Sequence, residues 1–125
     1  MPRRAAAKGE LGRPNEPSIL ILTSLADEPK HGYALTKDIE TFAGVTLGPG
    51  TLYGAIARLE ERGLIEPTPT GDDERRRPYR ITASGRQALT AAIADMRTLA
   101  EEGALRLGLR ARALAFTTTN TGQTA

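Results

Sequence analysis

Apolar and polar positions along the chain change period several times, and each change marks an element. Ile19, Leu20, Ile21, Leu22 and Leu25 make a first segment, 17–27, apolar on nearly every side, which predicts a helix needing cover all round. Tyr33, Leu35, Ile39 and Phe42 recur at helical spacing and predict a second helix over 32–42. Residues 44–50 form a turn, and Leu52, Ala55, Ile56 and Leu59 then fall on one face of a third helix. Gly48 suits the N-cap of that helix, Pro49 its first position, where a missing N–H costs nothing, and Gly63 its end. Two short strands are expected at 65–69 and 79–82, joined by a Gly71-Asp72-Asp73-Glu74 turn. A last long helix is expected from 83 to 107 or beyond.

That order, three helices followed by a hairpin, is the order of a winged helix-turn-helix. The fold class is therefore mainly α with a small β wing: a winged domain at 16–82, then a C-terminal helix at 83–114. The flanking segments 1–15 and 115–125 have the composition of disordered tails, one basic and one polar. In such a fold the third helix is offered to the DNA major groove and the hairpin to the backbone or minor groove. Its face opposite the core carries Gly50, Gly54, Ala57, Arg58 and Glu61, bordered by Thr51 and Tyr53. Small residues there permit close approach, and a helix N-terminus favours phosphate. Arg75, Arg76 and Arg77 stand at the hairpin tip, where three adjacent guanidinium groups suit phosphate or minor-groove contact. The competing reading is a solvated charge run neutralised by Asp72, Asp73 and Glu74.

These residues carry a family resemblance. Pro49-Gly50-Thr51-Leu52-Tyr53, then Arg58-Leu59-Glu60 and Gly63-Leu64-Ile65, resemble the recognition helix of PadR-type transcriptional regulators. His31-Gly32-Tyr33, the arginine-rich wing, Tyr79-Arg80-Ile81-Thr82 and Gly85 fit the same pattern, so the resemblance spans about 17–107. It departs from the pattern at Gly48, where the family often has Ser, and at Gly54, where it often has Pro. The resemblance implies a DNA-binding regulator, a repressor, with Tyr33, Gly50, Thr51, Tyr53, Arg58 and the three wing arginines at the DNA. It further implies a small aromatic or drug-like effector held at or near a dimer interface. The chain has no Trp and few aromatic residues, so stacked capture of a planar ligand lacks its usual partner.

The terminal helix adds an assembly argument. Leu89, Ile93, Met96, Ala100, Gly103 and Leu107 recur at spacings of four and three, a seam suited to a second helix. Together with Ile19 and Leu22 of the over-apolar first helix, Leu89, Ile93, Met96 and Leu107 are the expected homodimer contacts.

Composition narrows the alternatives. The formal net charge of +2 is too small to prove a nucleic-acid partner. Its distribution says more: residues 1–15 hold four basic groups against one acidic, +3, and residues 16–47 two against five, −3. There is no Cys, which excludes disulfides and thiolate metal sites. His31 is the only histidine, so a Ser-His-Asp triad that uses a second histidine or a multi-histidine metal site is not available; it is expected to cap the second helix or pack against it. Gly48-Pro49-Gly50-Thr51 lacks the spacing and lysine of a phosphate-binding loop, and the 72–74 carboxylates beside three arginines make a poor metal cage. Tyr33, Tyr53 and Tyr79 are too scattered for a base-stacking platform. No enzymatic activity, cofactor or metal is expected. The basic N-terminus is not followed by the apolar run of a secretory signal, so the expected compartment is the cytoplasm. The reading opposed to a DNA-binding regulator is a winged-helix module for protein–protein contact without operator binding, which fold alone cannot separate from it.

Overall fold

A computed structural model of the chain describes residues 16–69 and 77–109. Four helices and two strands follow in order: α1 (Pro17–Leu25), α2 (Gly32–Ala43), α3 (Pro49–Glu61), β1 (Ile65–Pro67), β2 (Tyr79–Ile81) and α4 (Ala83–Leu107). The described residues divide into two compact units, the first ending at Ala92 and the second beginning at Ile93. The first unit therefore takes in the opening turns of α4, beyond the 82/83 boundary read from the sequence.

Helix α1 is the centre of the first unit, packed on by α2, α3 and β2. Ile19, Leu20, Ile21, Leu22 and Leu25 are all buried, Leu22 to 0% exposure. This corrects the expectation that α1 needs a partner subunit. Its all-round apolar surface is covered within the chain, and Ile19 and Leu22 are core residues rather than dimer contacts. Leu89, also expected at the interface, is likewise buried in the monomer.

The close approach at the start of α4 explains the last point. A Cβ placed on Gly85 would overlap the Leu64 carbonyl oxygen and lie 2.8 Å from Ile81 Cγ1. Only a residue without a side chain lets this turn settle on the strand entry, one helical turn before Leu89. Thr82 secures the junction from both sides. Its Oγ1 accepts from the Gly85 N–H at 3.0 Å, which is the N-cap geometry, and donates to the Gly63 carbonyl at 2.7 Å.

The wing is antiparallel, with Ile65 opposite Ile81, Glu66 opposite Arg80 and Pro67 opposite Tyr79. Both strands are shorter than the sequence suggested. The hairpin has a third backbone neighbour that hydrophobic patterning does not reveal. Lys30, between α1 and α2, exchanges both backbone hydrogen bonds with Tyr79, at 3.0 and 2.9 Å. The Lys30 side chain is largely buried. It donates to the Ser24 carbonyl and, at 2.7 Å, to Asp27 Oδ1, while Ser24 Oγ donates to Asp38 Oδ2 at 2.6 Å. These contacts tie the end of α1 to α2 and to the wing.

Candidate nucleic-acid interface

The candidate reading helix is α3, and its two faces separate cleanly. Leu52, Ala55, Ile56 and Leu59 are buried. Pro49, Gly50, Thr51, Tyr53, Ala57, Arg58, Glu60 and Glu61 are exposed. Gly48 is the N-cap residue with extended backbone and Pro49 opens the helix. The first turn thus presents free backbone N–H groups with only Gly50 and Thr51 beside them, an arrangement able to receive an anion. The other end is closed by Gly63 at φ 75°, with the Leu64 N–H donating to the Leu59 carbonyl at 2.9 Å. This turn sends the chain directly into β1.

Tyr53 is 50% exposed, and its ring lies against the start of α2. The hydroxyl sits where a Cβ on Gly32 would be. The two motif segments read separately from the sequence, His31-Gly32-Tyr33 and Pro49 to Tyr53, are therefore in contact. Tyr33 is 68% exposed in the first turn of α2, with the Lys37 ammonium 5.8 Å from its ring centroid. Lys37 adds a cation to this face that was not singled out from the sequence; its signal was the i,i+4 spacing to Tyr33. His31 is the N-cap residue of α2 but makes no side-chain cap hydrogen bond and is exposed. The capping role expected for it is not what the side chain does; its carbonyl accepts from the Leu35 N–H at 2.9 Å instead.

On the wing, Arg75 and Arg76 lie outside the described residues, as do Asp72, Asp73 and Glu74. Arg77 is described and is half-buried, and its Nε is buried without a hydrogen-bond partner. It belongs to the base of the wing rather than to a freely exposed tip. Arg80 is held by Glu66 across the strand pair at 2.8 Å and is thereby partly neutralised. Burial raises the Tyr79 phenol above its ordinary value; Glu60 and Tyr53 add to this and Arg77 opposes it. The wing base therefore feels the charge of α3 directly.

Of the expected interface stripe on α4, Leu89 is buried while Ile93 remains 39% and Leu107 74% exposed, with Met96 half-buried. No group of three or more acidic or histidine side chains able to hold a metal ion occurs among the described residues. No described helix is long and apolar enough to cross a membrane.

Three helices with a two-stranded wing, the third helix exposing its N-terminal face beside that wing, define a winged helix-turn-helix protein. The family model described as transcriptional regulator PadR-like matches residues 21–91, and the chain belongs to that family of DNA-binding transcriptional regulators. The chain is 40% identical over 83 residues to the transcriptional regulator Rv3488 of Mycobacterium tuberculosis, covering 66% of this chain and 77% of that protein. It is 47% identical over 77 residues to an uncharacterised 37.1 kDa protein in transposon TN4556 of Streptomyces fradiae. That match covers 62% of this chain but only 22% of the relative's length. Among solved structures, a PadR family transcription regulator from Clostridium difficile superposes with a TM-score of 0.64 at 24% identity, over 74% of this chain and 99% of that one. A transcriptional regulator from Clostridium thermocellum superposes with a TM-score of 0.59 at 24% identity, over 83% and 96%. At such identities these structures speak to the fold alone.

Proposed function

We propose that the chain acts as a homodimeric repressor, in the cytoplasm, that reads a near-palindromic operator. Helix α3 enters the major groove by its N-terminal half, with Gly50, Thr51 and Arg58 toward the DNA and Tyr33 and Tyr53 beside them. Arg75, Arg76 and Arg77 supply sequence-independent attraction from the wing. The segment 83–114 joins two copies through Ile93, Met96 and Leu107, and a small-molecule effector is compatible with an interface there.

One observation carries this reading. The exposed N-terminal face of α3 bears only small side chains over a Pro-initiated first turn, so the helix end can approach a phosphate or a base edge closely. The apolar side chains left uncovered on α4 support the dimer. A dimer of this kind sets two reading helices about one DNA turn apart, roughly 34–36 Å.

Gel-shift titration against the promoter of its own gene tests the reading. Thr51→Ala is expected to cost about 1–3 kcal/mol of specific binding, the scale of one good base or charge-assisted contact. Indistinguishable affinities for Thr51→Ala and the parent would remove α3 from the contact. Failure of the parent to bind any duplex would leave the fold as a protein-binding module.

A further inference from the structure

The turn between α1 and α2 receives two distant parts of the chain within three residues. Lys30 pairs with Tyr79 of β2 through both backbone groups. Two residues later, Gly32 takes the Tyr53 ring of α3 against its backbone. A Cβ at Gly32 would overlap the Tyr53 hydroxyl and lie 2.9 Å from Cζ and 3.3 Å from Cε1. Gly32 is buried, and it is not among the glycines with positive φ. Its backbone conformation is one that any residue could adopt. Glycine weakens a helix, and here it stands in the first turn of α2. Space for Tyr53 is what the structure gains from it. The Tyr53 ring is half open to solvent, on the same side of α3 as Gly50 and Ala57.

We infer that Tyr53 is a positioning residue. Its ring, seated on Gly32, sets the pitch of α3 against the turn that also anchors the wing strand, so that reading helix and wing meet the DNA as one rigid unit. The inference rests on the proposal that α3 reads DNA. A tyrosine serving only to offer its hydroxyl to a phosphate would need no glycine behind it. The influence of Tyr53 and Glu60 on the Tyr79 phenol agrees with helix and wing being held face to face at this point. Losing the seat should loosen α3 relative to the wing. Discrimination between operator and random sequence should then suffer, while sequence-independent attraction to the backbone persists.

The test is a mutant cycle of Gly32→Ala, Tyr53→Ala and the double variant, with Tyr53→Phe alongside. Each is titrated at one salt concentration with a duplex carrying its own promoter and with a random-sequence duplex of equal length. Circular dichroism and light scattering confirm fold and assembly. Gly32→Ala and Tyr53→Ala are each expected to lose about tenfold or more of the preference for the promoter, with random-duplex affinity held within roughly twofold. The double variant should be no worse than Tyr53→Ala, because the clash and the seat are the same feature. Tyr53→Phe, which keeps the ring, should stay within about threefold of the parent. Parent-like discrimination in Gly32→Ala, additive losses in the double variant, or a Tyr53→Phe loss equal to that of Tyr53→Ala would each overturn the inference. The last result would make the hydroxyl a DNA contact. Should Gly32→Ala not fold, the comparison of Tyr53→Phe with Tyr53→Ala decides alone. A parent that shows no preference for the promoter would instead reject the underlying reading of α3.

Discussion

Gly85→Ala should destabilise the protein although it replaces a glycine with the best helix former inside a helix. Gly85 lies in the first turn of α4, and the added methyl carbon would overlap the Leu64 carbonyl oxygen, 3.1 Å from the carbonyl carbon and 2.8 Å from Ile81 Cγ1. Backbone cannot rotate aside as a side-chain tip can, so α4 must move away from the strand entry. That movement strains three hydrogen bonds: Thr82 N–H to the Leu64 carbonyl at 3.1 Å, Thr82 Oγ1 to the Gly63 carbonyl at 2.7 Å, and Gly85 N–H to Thr82 Oγ1 at 3.0 Å. Overpacking costs about 1–3 kcal/mol, and weakening the cap and one further bond adds about 1–2. Improved helix propensity returns about 1 kcal/mol. The net loss is about 1–4 kcal/mol, which for a small domain lowers Tm by at least roughly 4 °C. Gly54→Ala is the internal control. It sits inside α3, its added carbon would meet only Arg58 Nη1 at an ordinary 3.7 Å, and it should gain about 0.5–1 kcal/mol. Urea titration followed by circular dichroism reads both. A Gly85→Ala variant as stable as the parent would refute the close-approach argument.

Three further outcomes are expected. Ile93→Asp places a charge in the uncovered stripe of α4 and should convert a dimer to monomer by light scattering, weakening DNA binding with no DNA-facing residue changed; an unaltered mass would clear this stripe of the interface. Replacing Arg75, Arg76 and Arg77 with alanine should flatten the slope of log K against log salt by about 2 units, fewer than three because the Arg77 Nε is buried, and an unchanged slope would show that the wing does not touch DNA. Asp27 is held below its ordinary value of 3.8, chiefly by the hydrogen bond from Lys30, so its contribution to stability is present above that value and is lost as pH falls through the lower folded value. The stability difference between the parent and Asp27→Asn should therefore shrink in acid, and a difference constant from pH 6 to pH 2 would contradict this.

The elements legible in the sequence were those that carry their own local chemistry. Pro49 and Gly63 bracket α3 by capping geometry, and the four buried residues of that helix announced its inner face through spacing alone. Periodicity reports how apolar a face is but not what covers it. Helix α1 was therefore read as wanting a partner, whereas α2, α3 and β2 already surround it. The Lys30–Tyr79 pairing was invisible because a single bridged residue produces no alternation. Gly32 and Gly85 stood in the motifs, yet their reason is a contact with residues about twenty positions away, which no local pattern encodes. Arg77 looked like its neighbours in a charge run, and only the folded wing base distinguishes it.

The central claim is that α3 and the wing of two joined copies read one operator. A footprint of the purified protein on the promoter of its own gene tests this most directly. The account predicts one protected region with two related halves, their centres separated by about one helical turn, roughly 10 bp. Protection of a single unpaired half, or none at moderate salt with the protein folded, would contradict it.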